Sequence, residues 1–283
     1  MAAPPRHGEG VHNYLFRLAR VLHPLRNEQE IIELLQVLTA ECGRLVPQRE
    51  ILDAVRNAGR MAWTPSVTKT SIASHARWPA VNQEQREAII HSGLGLVDLW
   101  ERSPIRLDGA VGHTADLLDT LFPGNSLLCC GWSNDRFDTR PKNEWGKHLR
   151  ALQLIVPSPM SKLRGLTQDG RDSAHTLANT GPRRFLVIEF DEGTDDQHSA
   201  ILLHLALRFP LALAVHSGNK SLHGWFYCAA QSEENLLLFM RYAVSLGADP
   251  VTWTRSQFVR MPEGRRANGR RQTVFFFNPK VVR

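Results

Sequence analysis

The run Phe185-Leu186-Val187-Ile188-Glu189-Phe190-Asp191 constrains the fold more than any other stretch of the chain. Its apolar, β-branched and aromatic residues suit a buried strand, yet it closes on two acids. Strand side chains alternate, so Glu189 and Asp191 project to one face with Cα atoms roughly 6.5 to 7 Å apart. Leu186, Ile188 and Phe190 then point the other way, into a core. Two carboxylates at that spacing suit a divalent cation, which lowers the cost of holding like charges together. The plain alternative is a strand end that reaches water.

The pattern is sharpest after Gly181-Pro182. A strand over 184–190 leads to a helix capped by Thr194 or Asp195, with Ile201, Leu202, Leu205 and Leu207 as its apolar stripe. Leu211 to Val215 reads as a buried strand, joined through the turn Ser217-Gly218-Asn219-Lys220 to a second strand, Ser221 to Cys228. Ser232 caps another helix carrying Leu236, Leu237, Met240, Ala243 and Val244, and Gly247 ends it. Phe258 to Met261 and Thr273 to Phe277 are further strand candidates joined by an Arg/Gly-rich loop. The order β-α-β-β-α-β-β is that of an RRM-like, split β-α-β antiparallel sheet backed by helices, an α+β fold.

The rest of the chain is less pointed. Leu15, Leu18, Val21 and Leu22, then Ile31, Leu34, Leu35 and Leu38, then Ile51, Leu52 and Val55 behind Pro47, predict a helical bundle within 1–62, with Gly59 as a stop. Residues 63–180 carry predicted helices at Gln83 to Ser92 and Thr114 to Leu121. Strand candidates there are Ser126 to Cys130 and Leu152 to Val156, and Trp132 to Lys147 is a polar loop candidate. Trp63, Trp78, Trp100, Trp132 and Trp145 suit base stacking as well, but read first as core anchors. The domain expectation is therefore 1–62, 63–180 and 181–283.

Composition narrows the partners. The 283 residues carry a net charge of +6 and a pI near 9.4, which suit an anionic partner such as nucleic acid. Six arginines, at 255, 260, 265, 266, 270 and 271, crowd a stretch where Asp249 to Gln272 holds only two acids. The four cysteines, Cys42, Cys129, Cys130 and Cys228, have neither zinc-ligand nor disulfide-framework spacing. No apolar run approaches the roughly 20 residues of a membrane span, and the first residues lack a leader-like apolar core. The expectation is a cytoplasmic protein without a membrane partner.

Ser221 and His223 share a strand face and can meet the side of the sheet that carries Glu189 and Asp191. Lys220 and the turn before it can face a triphosphate. Asp249, just past the Gly247 helix stop, is a candidate third carboxylate or a simple capping residue. Arg260, on a strand candidate, suits a nucleotide phosphate or an exposed edge. A phosphate-loop reading of Gly218 to Ser221 fails for want of the upstream glycine and an adjacent Gly-Lys.

As an ordered set, Val187-Ile188-Glu189-Phe190-Asp191, Ser217-Gly218-Asn219-Lys220-Ser221-Leu222-His223, Asp249 and Val259-Arg260-Met261-Pro262 resemble the archaeo-eukaryotic primase superfamily. The resemblance covers roughly residues 181–279. It implies that Glu189, Asp191 and Asp249 bind two catalytic Mg²⁺ or Mn²⁺ ions, and that Ser221 and His223 bind the incoming nucleoside triphosphate with Lys220 and Arg260. The pair here is Glu-x-Asp, where many members have Asp-x-Asp or Asp-x-Glu. The helical segment Arg17 to Ala62 also looks like the small helical domain found near primase catalytic domains, although there it usually follows them. The implied activity is template-directed primer synthesis on single-stranded DNA, with Arg265, Arg266, Arg270 and Arg271 against the template backbone. Any helicase would be a separate protein. Two rival expectations are a nucleic-acid-binding replication or defence protein that keeps the fold with little or no turnover, and a nuclease using the same acids.

Overall fold

The computed structural model describes residues 11–23, 27–40, 42, 44–60, 78–107, 113–229 and 231–282. Trp63 and the first ten residues lie outside them. The chain divides into two compact units, Met1–Ala76 and Arg77–Arg283.

The first unit contains α1 (Val11–Leu22), α2 (Glu28–Thr39) and α3 (Gln48–Arg60). Val11, Leu15 and Ala19 recur every fourth residue on α1 and bury one stripe against Ile31 and Leu35 of α2 and Ile51, Ala54, Val55 and Ala58 of α3. Asn27 starts α2 through a reciprocal cap, its side chain accepting from the Glu30 N–H while the Glu30 carboxylate takes the Asn27 N–H. Such a cap contributes about 1 kcal/mol.

The second unit is α+β with antiparallel sheets. It runs α4 (Gln83–Ile90), α5 (Leu96–Glu101), α6 (Thr114–Leu121), β1 (Leu127–Gly131), β2 (Phe137–Pro141), α7 (Lys142–Trp145), β3 (Leu154–Ile155), β4 (Gly165–Leu166) and β5 (Asp172–Ser173). It continues β6 (Phe185–Ile188), α8 (Asp195–Ala206), β7 (Leu211–His216), β8 (Leu222–Tyr227), α9 (Glu233–Ser245), β9 (Val259–Arg260) and β10 (Val274–Phe277). One four-stranded sheet has the order β10-β7-β8-β6, a second β2-β1-β3-β9, and β4 and β5 form a two-stranded ribbon. In the first sheet β6 and β7 are joined by α8 with β8 between them, antiparallel to both, which is a split β-α-β unit. Phe185, Val187, Leu213, Val215 and Trp225 of that sheet share one core with Leu128, Cys130, Ile155 and Val259 of the other.

Three local expectations are revised. Trp132 to Lys147 is not a loop, because Phe137 to Pro141 pairs with β1 along its full length and Thr139 turns inward to donate its hydroxyl to Ala174 C=O at 2.7 Å. Polar side chains on the outward face hid this strand. The two strand candidates flanking the arginine loop belong to different sheets, since Leu154 pairs with Arg260 while Val274 pairs with Val215. The first acidic strand ends at Ile188 rather than Phe190, and Glu189 C=O instead accepts the Asp249 N–H at 2.9 Å. Both acids therefore stand just past the ladder, with Glu189 half-buried, Phe190 buried and Asp191 exposed.

Candidate active site at one end of the central sheet

Strand register builds the site. Ile188 sits opposite Gly224 in the β6–β8 pairing, so the next residue of each chain, Glu189 and His223, meet across the sheet end. Glu189 Oε2 lies 2.8 Å from His223 Nδ1, with only 19 % and 4 % of the two side chains exposed. The contact is short but bent, the oxygen lying off the direction of the ring N–H. His223 Nε2 faces the Ser221 hydroxyl at 3.2 Å, completing a chain Ser221–His223–Glu189.

Asp249 arrives by a different route. At the end of α9 the Gly247 N–H bonds Val244 C=O and the Ala248 N–H bonds Ala243 C=O, a Schellman closure that requires the left-handed φ of +99° at Gly247. The chain then turns directly onto Glu189. Asp249 Oδ1 accepts the Val251 N–H at 2.9 Å and caps the 3₁₀ turn Pro250–Trp253, so the residue is both a cap and a member of the acid group.

The electrostatics record this convergence. Burial, joined by the charges of Asp191 and Glu189, raises the Asp249 carboxyl above its ordinary value despite the Val251 hydrogen bond. For Glu189, burial alone would raise the pKa, but contact with His223 and the charges of His223 and Arg260 outweigh it and hold the carboxyl low. Arg260, half-buried, is pulled below the usual arginine value by burial and then by Arg266, with Glu189 opposing.

The turn between β7 and β8 presents Lys220 to solvent. Gly218 there has φ +73°, and a Cβ at that position would stand 2.7 Å from Arg271 C=O, so no other residue fits without a shift. The arginine segment is therefore packed against this turn. Arg266 Nη1 donates to Ser217 C=O at 3.1 Å, and Arg271 pairs with Glu263. Of the four arginines predicted to meet template, Arg265 and Arg270 are exposed while Arg266 and Arg271 are drawn into protein contacts.

The chain matches no protein-family model, no curated protein and no solved structure.

Among the described residues, no three carboxylate, imidazole or thiol side chains stand close enough together to hold a metal ion. The oxygens that suit a hard cation belong to Asp191 and Asp249, and to Glu189 only if it leaves His223. Two flanking residues escaped sequence reading. Arg86 of α4 lies over both acid-bearing turns, 3.3 Å from where a Cβ would stand on Gly193 and on Gly247. His198 stacks on Phe190 with ring centroids 4.9 Å apart, and its Nε2 meets Glu192 C=O at 3.0 Å, bracing the turn after Asp191. Burial lowers the His198 pKa. A separate cavity of about 440 Å³, lined by Leu96, Trp100, Thr273 and Phe275 with Glu263 and Arg271, contains none of the site's acids.

Proposed function

We propose that this protein is a metal-dependent nucleotidyltransferase of primase type that builds primers on single-stranded DNA from nucleoside triphosphates. The observation that carries the proposal is the meeting of three separate segments at one sheet end. Glu189 contacts His223 at 2.8 Å, Ser221 contacts His223 at 3.2 Å, and the Asp249 N–H bonds Glu189 C=O at 2.9 Å. The split β-α-β topology supports the same resemblance in order and spacing.

Hard carboxylate oxygens suit Mg²⁺ or Mn²⁺, and although no three such groups among the described residues stand close enough to hold an ion, burial and then the charges of Asp191 and Glu189 raise the Asp249 pKa, a repulsion that a cation relieves. Asp191 and Asp249 would hold the ion, next to a Glu189 whose carboxylate lies against His223. When bound it supplies charge for the phosphates and acidifies the attacking 3′-hydroxyl. The chain's own residues provide position. The Ser221 hydroxyl and His223 Nε2 line one wall for a phosphate, and Lys220 on the turn and Arg260 on the facing sheet add positive charge. Arg265 and Arg270 hold the template through its phosphates, with little base readout. A separate helicase would supply any unwinding.

The test is primer synthesis or extension on single-stranded DNA with Mn²⁺, comparing wild type with the double variant Glu189→Ala/Asp191→Ala. Equal product from both would overturn the proposal. Calorimetry that finds template affinity without metal-dependent nucleotide affinity would identify a binding protein instead, and degradation of labelled DNA without nucleotides a nuclease.

A further inference from the structure

We infer that Glu189 is a positioning residue for His223, and that the cation of the site is held by Asp191 and Asp249 without the Glu189 carboxylate. This rests on the metal-dependent reading above and divides the roles of the two paired acids. The alternation of the sequence predicts one face for both acids, but both lie past the end of β6 and their surroundings differ. Glu189 is half-buried, and its carboxylate lies against an imidazole that is itself only 4 % exposed. Asp191, two residues on and past the end of β6, is exposed.

Energy favours the division. If the Glu189 side chain turned toward a metal, the nearly buried His223 Nδ1 would lose the carboxylate beside it, and leaving a buried polar group without a partner is unfavourable. The Glu189 main chain is also tied down, through its C=O to the Asp249 N–H. With Glu189 in place, a proton on Nδ1 is favoured by the adjacent negative charge. Nε2 then carries the lone pair and accepts from the Ser221 hydroxyl, and it donates to a phosphate only when the ring takes a second proton. A carboxylate that orients a histidine in this way fixes its tautomer without touching the reacting atoms. Ser221–His223–Glu189 also has the atom order of a nucleophile–base–acid relay, so the test must separate the two.

The experiment is Mn²⁺ binding to the full chain without nucleotide, followed by electron paramagnetic resonance of the free ion. The proteins are wild type, Glu189→Gln, Asp191→Asn and Asp249→Asn. The expected result is Glu189→Gln within about threefold of wild type, and each aspartate variant weaker by about tenfold or more. A second readout is the ¹⁵N shifts of the His223 ring in metal-free protein. Glu189→Ala should move the ring toward the Nε2–H tautomer, while Glu189→Gln, whose carboxamide oxygen still accepts, should retain Nδ1–H. Loss of Mn²⁺ affinity in Glu189→Gln as large as in Asp191→Asn would overturn the inference and leave the proposed function standing. A wild type that binds no Mn²⁺ would overturn both. Unchanged His223 shifts in Glu189→Ala would remove the positioning role, and covalent labelling of Ser221 by a fluorophosphonate would overturn the phosphate-binding role of Ser221 and His223 in favour of a relay.

Discussion

Glu263 should be among the most stability-sensitive residues of the second unit, although it lies in an arginine-rich loop. Its side chain is 1 % exposed and pairs with Arg271, and its Oε1 accepts the Val274 N–H at 2.7 Å. Replacing it with Ala takes the carboxylate away from Arg271 and leaves a buried backbone donor without its acceptor. Breaking one member of a buried ion pair costs about 3–5 kcal/mol. In a unit of this size each kcal/mol shifts Tm by about 2–4 °C, so the expected fall is roughly 6–20 °C. Glu263→Gln keeps the oxygen that meets Val274 and loses only the charge, so it should fall by about 1–2 kcal/mol. A third variant checks the backbone. Glu263 has φ +59°, the one positive φ outside glycine among the described residues. A side chain costs roughly 1–2 kcal/mol there, so Glu263→Gly should be at least as stable as Glu263→Ala. Thermal and urea unfolding of the three variants decides the matter. An Ala variant within 1 kcal/mol of wild type (~1, below the range for a broken buried pair) would refute the pairing argument, and an Ala variant clearly more stable than Gly would refute the backbone one.

Other outcomes follow from the same geometry. Gly218→Ala should lose about 1–2 kcal/mol by circular dichroism and weaken nucleotide binding further, because its Cβ would press on Arg271 C=O 2.7 Å away. Arg265→Ala should lower single-stranded DNA affinity and reduce the salt slope by about one, whereas Arg266→Ala should chiefly lower Tm by releasing Ser217, as fluorescence titration at several salt concentrations and unfolding would show. The two shifted acids have opposite pH signatures. The depressed Glu189 pKa contributes stability that is present above its unfolded value and lost as pH falls through its folded value. The raised Asp249 pKa contributes stability below its unfolded value that is lost as pH rises through its folded one. Asp249→Asn should therefore be more stable than wild type near neutral pH and lose that advantage in acid, a comparison made by Tm against pH.

The elements that position the acids were legible because each carries a local signal. The apolar run of β6, the Thr194 and Ser232 caps and the Gly247 stop all act within a few residues, and the structure has them where those signals lie. What was hidden depends on pairing between distant segments. Nothing near Arg260 says that its strand joins β3 rather than β10, because a two-residue strand takes its sheet from its partners. Phe137 to Pro141 carries charge on its outward face and so imitates a loop. Arg86 sits in a polar helix with no motif, and only the packing of α4 brings it over Gly193 and Gly247.

The distribution of the arginines carries the same lesson into function. Read along the chain, Arg265, Arg266, Arg270 and Arg271 are equivalent positive charges. In the fold the segment is a tight reversal, with the Arg266 N–H bonded to Arg270 C=O at 2.9 Å and Arg265 bridged to Arg271. That reversal sends residues of one run in different directions. Arg266 and Arg271 secure the turn that presents Lys220 and Ser221, while Arg265 and Arg270 remain exposed. The segment therefore couples two tasks, and weakening its anchorage at Glu263 should disturb the nucleotide side of the site before it reduces the charge offered to a template. A Glu263→Gln variant should accordingly lose nucleotide affinity by a larger factor than DNA affinity, measured on the same preparation below its Tm. Equal losses in both would mean that the loop acts only as a patch of charge.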